Sequence, residues 1–309
     1  MATTIIVLGH GGGVAMAPVG NTNFAILPEV GADEVNERAT GSKTWGQVVH
    51  EMLQRYRFWL VDCGPETALR ICNALEPQFD VPAPIQQLQG IFLTHCHTDH
   101  SGGLPTVAWR TRFVEDTQPA LYVGTACVDM LQQQLVELDG SGSPGLIHQL
   151  RHSPTAHDYF TFTTCGDRVP TQVHGSAGMQ AIYRTVDHNI FRPVQNDLWA
   201  FPGYSVALVL GDDGVAVFSG DTAFPLHASC MRDATVTFHD CQFHDAGGPS
   251  AVHCPFRKLA DEVSPAERGN VWLSHCTVAA GSEAVGSGFN WAKQGSIIVL
   301  DRGELALTW

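Results

Sequence analysis

Short apolar runs, each stopped by a glycine, a proline or a polar cluster, recur along the whole chain. In the first half, "TIIVLGHGGG", "NFAIL", "FWLVDCG" and "QGIFLTHCH" read as buried strands. "PETALRICNALEPQF" has apolar residues at helical spacing and reads as a helix ended near Pro77. "LYVGTACVDMLQQQLVEL" reads as a strand running into a helix, and "DGSGSPGLIHQLRHSPTAHDYF" as a loop. The second half starts over with the strands "MQAIYRTVDH", "GYSVALVLGDDGVAVFSGDT" and "ATVTFHDC", where "GDDG" is a hairpin turn. "VWLSHCT" and "SIIVLDRGELAL" close the chain as strands. The pattern predicts an α/β chain in one domain over 1–309, with two sheets face to face and helices outside. Residues 28–50 read as a solvated loop or short helix, with a lid or dimer contact as the functional alternative. The glycines of "GHGGG" read as a tight turn rather than an anion cradle.

Composition narrows the classes. The chain has 309 residues, 44% hydrophobic and 16% charged, enough apolar content for a sizeable core. No window approaches the roughly 18–20 continuous apolar residues of a membrane span. The opening "MATTIIVLGHGGGVAMAPVG" lacks the basic flank of a signal peptide, so a cytoplasmic protein without membrane partners is expected. Nine cysteines, with no CxxC and no disulfide-like framework, fit a reducing compartment and small-residue packing. A net charge of −14 without a Lys/Arg run disfavours large RNA, leaving only a local patch around Arg110 and Arg112.

The chemistry concentrates in "IFLTHCHTDHSGG", residues 91–103, which places His95, His97, Asp99 and His100 directly after an apolar run. In an extended segment alternate residues face one way, so His95 and His97 can share one metal, with Cys96 turned away. A turn then brings Asp99 and His100 to a second ion, and "SGG" permits the sharp backbone. Imidazole nitrogens and carboxylate oxygens are the usual ligands of zinc. Two ions need further ligands, expected at other strand ends. Asp221 follows "VAVFSG", where a carboxylate could bridge both ions, and His275 follows "NVWLS". For the last histidine the candidates are His148, His152, His157, His174 and His188. His188 is favoured because it ends a strand-like run leading into the Asp221 hairpin, with His174 second.

These motifs resemble the metallo-β-lactamase fold, whose metal motif is HxHxDH followed by a His, an Asp and a His. The surroundings are most similar to ribonuclease Z and its relatives: "VLGHGGG", the "DCG" of Asp62, Cys63 and Gly64, His188 followed by Gly203-Tyr204, and "SGDT". The resemblance implies an αββα sandwich of two mixed sheets. It implies one Zn2+ on His95, His97 and His188, another on Asp99, His100 and His275, and Asp221 bridging; Mn2+ or Fe are alternatives. Asp62 would orient a ligand. The relatives carry a His-Glu pair after the bridging aspartate and later a His-Ser-Thr whose histidine protonates the leaving group. Here "TFHDCQF", with His239 and Asp240, stands for the first and "SAVHCPFRKL", with His253, for the second. By this likeness His253 is a general acid held protonated by Asp240, a buried structural histidine being the alternative.

Two such ions lower the pKa of a water between them and make a hydroxide nucleophile, which Asp99 could orient or deprotonate. The expectation is a metal-dependent phosphodiesterase for small diesters such as cyclic nucleotides or short oligonucleotides. Some ribonuclease Z-like proteins degrade cyclic nucleotides, including signals of bacterial antiphage defence, and the chain resembles them in outline. A lactone, β-lactam, aryl ester or sulfate hydrolase is the alternative, and a metal-bound sensor without turnover a third reading. The same resemblance implies a homodimer, with residues 28–50 or 139–160 as contacts.

Overall fold

The computed structural model describes residues 2–9, 11, 21–39, 43–68, 71, 85–135, 156–192, 197–243, 253–275 and 284–308. The first sheet contains β1 (Ala2–Gly9), β2 (Asn23–Pro28), β3 (Phe58–Val61), β4 (Leu88–Leu93), β5 (Ala120–Gly124) and β6 (Thr161–Cys165). The second contains β7 (Thr171–Gln172), β8 (Met179–Thr185), β11 (Tyr204–Leu210), β12 (Val215–Phe218), β13 (Val236–Asp240), β14 (Val271–Ser274) and β15 (Asn290–Trp291). Between β8 and β11 a separate ribbon pairs β9 (Asn189–Arg192) with β10 (Asp197–Ala200). The last two strands, β16 (Ile297–Asp301) and β17 (Glu304–Thr308), return to the first sheet, whose order is β17-β16-β1-β2-β3-β4-β5-β6.

Both sheets are mixed, and the parallel part of each decides where chemistry can sit. β3, β4, β5 and β6 run parallel, as do β12, β13, β14 and β15. Parallel neighbours bring their carboxyl ends to one edge, where open α/β sheets place their sites. Here Asp240 ends β13, and the loops after β3, β4, β12 and β14 carry Asp62, His95, Asp221 and His275.

The sheets face each other through aromatic rings. Phe24 on β2 meets Phe218 on β12 at 5.0 Å and Phe238 on β13 at 4.6 Å between centroids. Such strands are buried on both faces and so read as continuous apolar runs, as in "FWLV". Helices cover the outer faces. On the first sheet α2 (Trp45–Arg55) buries Val48, Val49, Met52 and Leu53, and α4 (Leu104–Phe113) buries Leu104, Val107 and Ala108. A separate apolar cluster outside the second sheet holds Met231 of α6 (Ala228–Arg232) and Leu259 of α7 (Phe256–Glu262). The architecture is the expected α/β sandwich.

The described residues of 28–50 take the short-helix form of the expectation. They form α1 (Ala32–Arg38) and the start of α2, whose Thr44 and Gln47 cap each other through a reciprocal side-chain and backbone pair. "LYVGTACVDMLQQQL" is β5 followed by α5 (Val128–Leu135), as its pattern predicts. β6 and the β9–β10 ribbon went unread in the pattern. Most of the helix expected to end near Pro77 and most of the 139–160 segment lie outside the described residues, as do His10 of "GHGGG", His148, His152 and Cys276.

Candidate metal centre

The centre forms where the chain leaves five buried strands. After β3, Asp62 adopts a left-handed backbone at φ +62. After β4, Thr94 and His95 lead into α3 (Thr98–Ser101), a single turn whose N-cap is His97 and which carries Asp99 and His100. The two loops interlock with no room for side chains. A Cβ at Gly64 would lie 2.3 Å from the Asp99 carbonyl oxygen, and one at Gly103 would lie 2.2 Å from that of Gly64. The motifs "DCG" and "SGG" are thus two halves of one close approach. From the second sheet, Asp221 follows β12, Asp240 ends β13, and His275 follows β14 at φ +60. His188, three residues beyond β8, is held under the bridge between His95 and Gly203, where a Cβ would meet its own at 3.0 Å.

All seven expected ligands come together. His95, His97, His188 and Asp221 form one group and Asp99, His100, Asp221 and His275 another, with ligand atoms within 4.8 Å of one another in each. Asp221 belongs to both. Its Oδ2 lies 3.6 Å from His95 Nε2 and 3.9 Å from His188 Nε2, while its Oδ1 lies 3.2 Å from His100 Nε2 and 3.5 Å from His275 Nε2. His95 Nε2 and His97 Nδ1 are 3.2 Å apart. Two nitrogens on a tetrahedral zinc at about 2.0–2.1 Å are separated by about 3.3 Å, so this spacing suits a shared cation. His100 Nε2, His188 Nε2 and Asp221 Oδ1 are buried without a hydrogen-bond partner. Buried polar atoms are rarely left so, and here the orphaned atoms converge. The residues fit a pair of divalent cations. The other histidine candidates lie elsewhere: His174 and His157 are exposed, and His174 donates its backbone N–H to Tyr122 Oη at 2.7 Å.

Hydrogen bonds select the ring tautomers. Asp62 accepts from the Thr94 N–H at 2.8 Å, from the Thr94 hydroxyl at 2.9 Å, and from His100 Nδ1 at 2.8 Å. Thr94 Oγ1 also lies 3.0 Å from His95 Nδ1. The hydroxyl has one hydrogen, already given to Asp62, so it accepts from His95 Nδ1–H. One buried carboxylate therefore fixes Nδ1–H on both His95 and His100 and leaves each Nε2 as a lone pair facing Asp221, the tautomer a metal requires. Phe201 completes the wall. Its ring stacks on His97 at 4.3 Å and meets His188 at 5.5 Å. Sequence reasoning missed both Thr94 and Phe201. Thr94, adjacent to His95, could have been noticed; Phe201 carried no signal.

Charge states agree with ligation for the first group. Burial drives His95 and His97 below the ordinary imidazole value and takes His188 down to about 4, so all three are neutral near pH 7. At His100 burial is outweighed by the carboxylates of Asp221 and Asp62, which hold its pKa well above the ordinary value, so a cation at Nε2 would displace a proton. Burial alone would raise the carboxyls of Asp99 and Asp221. The neighbouring histidines outweigh it and hold both below the usual carboxylate range.

His253 and Asp240 stand beside this centre. His253 Nδ1 donates to Asp240 Oδ2 at 3.0 Å and lies 3.8 Å from Asp221 Oδ2. Burial pulls the His253 pKa down, but the charge of Asp240 and its hydrogen bond prevail and raise it to about 9. Asp240 also accepts from the Thr222 N–H at 3.1 Å. These ties favour a partner for His253 over the alternative cation group that Asp221, Asp240, His253 and His275 would form. His239 belongs to the core instead: its Nε2 accepts from the Leu226 N–H at 3.0 Å and its Nδ1 donates to the Asp240 carbonyl at 2.7 Å. Cys96 is buried, with Sγ 3.6 Å from the Cys127 carbonyl and away from the ligands.

The profile of the family described as Anti-Pycsar protein Apyc1 matches residues 51–297. The chain belongs to the Apyc1 family. That match runs from within α2 to the start of β16 and takes in every residue of the centre. An Apyc1 protein of Bacillus phage 010DV004 is 30% identical over 234 residues, spanning 73% of this chain and 79% of that protein. The likeness to ribonuclease Z also appears: the enzyme of Pseudomonas putida (strain GB-1) is 36% identical over 83 residues, 26% of this chain and 24% of that protein. Among solved structures, the metallo-beta-lactamase fold protein YhfI from Bacillus subtilis superposes with a TM-score of 0.62 at 14% identity. It covers 97% of this chain and 100% of that one, and shows that this chain has the metallo-β-lactamase fold.

Proposed function

We propose that the chain is a binuclear metal-dependent phosphodiesterase acting on small phosphodiesters, cyclic nucleotides first among them. The observation that carries this reading is His253, bonded to Asp240 at 3.0 Å and 3.8 Å from the carboxylate shared by both ligand groups. Membership of the Apyc1 family and the likeness to cyclic-nucleotide-degrading relatives support the substrate class. The net charge of −14 argues against a long RNA.

Two divalent ions bound here would supply Lewis-acid polarisation of a phosphoryl oxygen and a lowered pKa for water. His95, His97 and His188 would hold one ion, Asp99, His100 and His275 the other, and Asp221 both. Asp99, ionised and 3.4 Å from His275 Nε2, would orient the attacking water and take its proton. As the oxygen of water forms its bond to phosphorus, the ester P–O bond breaks and the leaving oxygen needs a proton. His253 keeps Nδ1 on Asp240, which leaves Nε2 as the atom that gives it. Asp240 stabilises the imidazolium before transfer and holds the ring plane throughout.

Zinc and manganese are the metals of choice for this donor set of imidazoles and carboxylates. A reducing, cytoplasmic setting is supported by the cysteines described, all of them free. No helix among the described residues is long and apolar enough to cross a membrane. We further propose a homodimer, supported by the exposed Trp109, Phe113 and Val114 around one end of α4; a monomer mass by light scattering would remove it. The test of function is hydrolysis of bis(p-nitrophenyl) phosphate and a panel of cyclic nucleotides by zinc- or manganese-loaded protein. Turnover that falls in both Asp221→Ala and His253→Ala supports the reading. A protein carrying two metals that cleaves no diester sinks it, and lactones and β-lactams become the next substrates.

A further inference from the structure

A second cavity, of about 400 Å³, opens at the end of the first sheet opposite the metal centre. Arg55 lines it from the end of α2, Arg57 and Trp59 from the entry to β3, Glu29 from the end of β2, and Gly175 from the turn before β8. Arg57 enters β3 and Asp62 leaves it, so roughly 16 Å of extended chain separates the two sites. None of the residues lining it takes part in the metal centre.

Its chemistry is unlike the rest of this acidic chain. Two arginines and a single carboxylate line the cavity, in a protein of net charge −14. Arg57 Nη1 donates to the Gly175 carbonyl at 3.1 Å, which pins the guanidinium to the wall and leaves its other N–H groups for a ligand. Trp59 is 1% exposed, and its Nε1–H finds no acceptor among the described residues. The indole runs up to Gly175, with Cζ2 3.9 Å from where a Cβ there would lie, so this edge of the ring forms part of the wall. Glu29 sits at φ +69, a conformation costly for a residue with a side chain and common at ligand sites.

We propose that this cavity binds a phosphate monoester of nucleotide size, at a site separate from the metal centre. Guanidinium forks match phosphate oxygens in pairs. Glu29 is the complementary acceptor, suited to a sugar hydroxyl or a base amino group, which inorganic phosphate lacks. The volume falls in the range of small-molecule sites, about 300–1,000 Å³. The proposal does not rest on the phosphodiesterase reading.

Calorimetric titration of the metal-loaded protein tests it, with adenosine 5′-monophosphate, inorganic phosphate and adenosine as separate arms. Three proteins are compared: wild type, Arg55→Ala/Arg57→Ala, and Asp221→Ala. The monophosphate is expected to bind wild type and Asp221→Ala alike. It should bind the double variant about tenfold to a hundredfold more weakly, the loss usual for hydrogen bonds to a charged group. Phosphate and adenosine should each bind more weakly than the monophosphate. The double variant should keep its melting temperature and metal content, and its turnover of bis(p-nitrophenyl) phosphate where the wild type shows any. Unchanged affinity in the double variant overturns the proposal. So does loss confined to Asp221→Ala, which would put the ligand at the metal centre, or no binding in any arm. Metal content is measured in every case, so absence of turnover leaves this test intact.

Discussion

Replacing Asp62 by asparagine exchanges one oxygen for an NH2 group at the residue that orients two histidines. Asparagine tolerates the left-handed backbone at φ +62, so the substitution isolates the side-chain chemistry. The remaining oxygen, Oδ1, can still accept from the Thr94 N–H and hydroxyl, now at 2.8 and 3.0 Å. The NH2 then faces His100 Nδ1 at 2.8 Å, a donor against a donor. Relief comes when His100 moves its proton to Nε2, the nitrogen 3.2 Å from Asp221 Oδ1. That nitrogen can then no longer ligate. Loss of such an outer partner typically weakens a metal site about 10–100-fold, or about 1.4–2.8 kcal/mol. The ion expected to weaken is the one held by Asp99, His100, Asp221 and His275. The His95 side, tied to Asp62 only through Thr94, should hold. Competition against graded chelators, read by metal content, measures both affinities. Wild-type affinity at both positions refutes the tautomer argument, and equal loss at both refutes the separation of the two rings.

Other expectations follow from the same geometry. With its pKa raised to about 9, His253 carries a proton below that pH and loses it as pH rises through it. Asp240→Asn removes the charge that raises it, so the alkaline limb of kcat should move to lower pH; an unmoved limb excludes His253 as the acid. Gly203→Ala forces a Cβ to 3.0 Å from that of His188, an overpacking worth about 1–3 kcal/mol. A lower melting temperature and weaker metal binding are expected, and full retention of both would show that the loop yields. Cys96→Ala removes a buried sulfur that faces the Cys127 carbonyl, so metal stoichiometry should stay unchanged; loss of an ion would place the thiol in the centre.

Much of this protein is written locally. The strands announce themselves because both faces of each sheet are covered, which leaves uninterrupted apolar runs such as "FWLV" and "IIVL". His95, His97, Asp99 and His100 are legible because one strand end and one helical turn position all four. Asp221 and His275 could be found as polar residues closing apolar strands. By itself the sequence thus determined the fold class and the pattern of candidate ligands.

Tertiary structure decided what depends on distant segments. The strand-like run favoured His188 over His174, and the fold seats His188 buried against Gly203 while leaving His174 exposed beyond β7. The carboxylate Asp62 reaches His100 across 38 positions, and Phe201 reaches His97 across a hundred; no periodicity records such pairs. The paired helices of residues 28–55 carry apolar positions whose burial depends on the sheet beneath them. The cavity at Arg57 and Trp59 also exists only because turns far apart in sequence meet at one sheet end. Spacing along a chain encodes which face a residue takes, whereas the partner across a gap is set by how the sheets close.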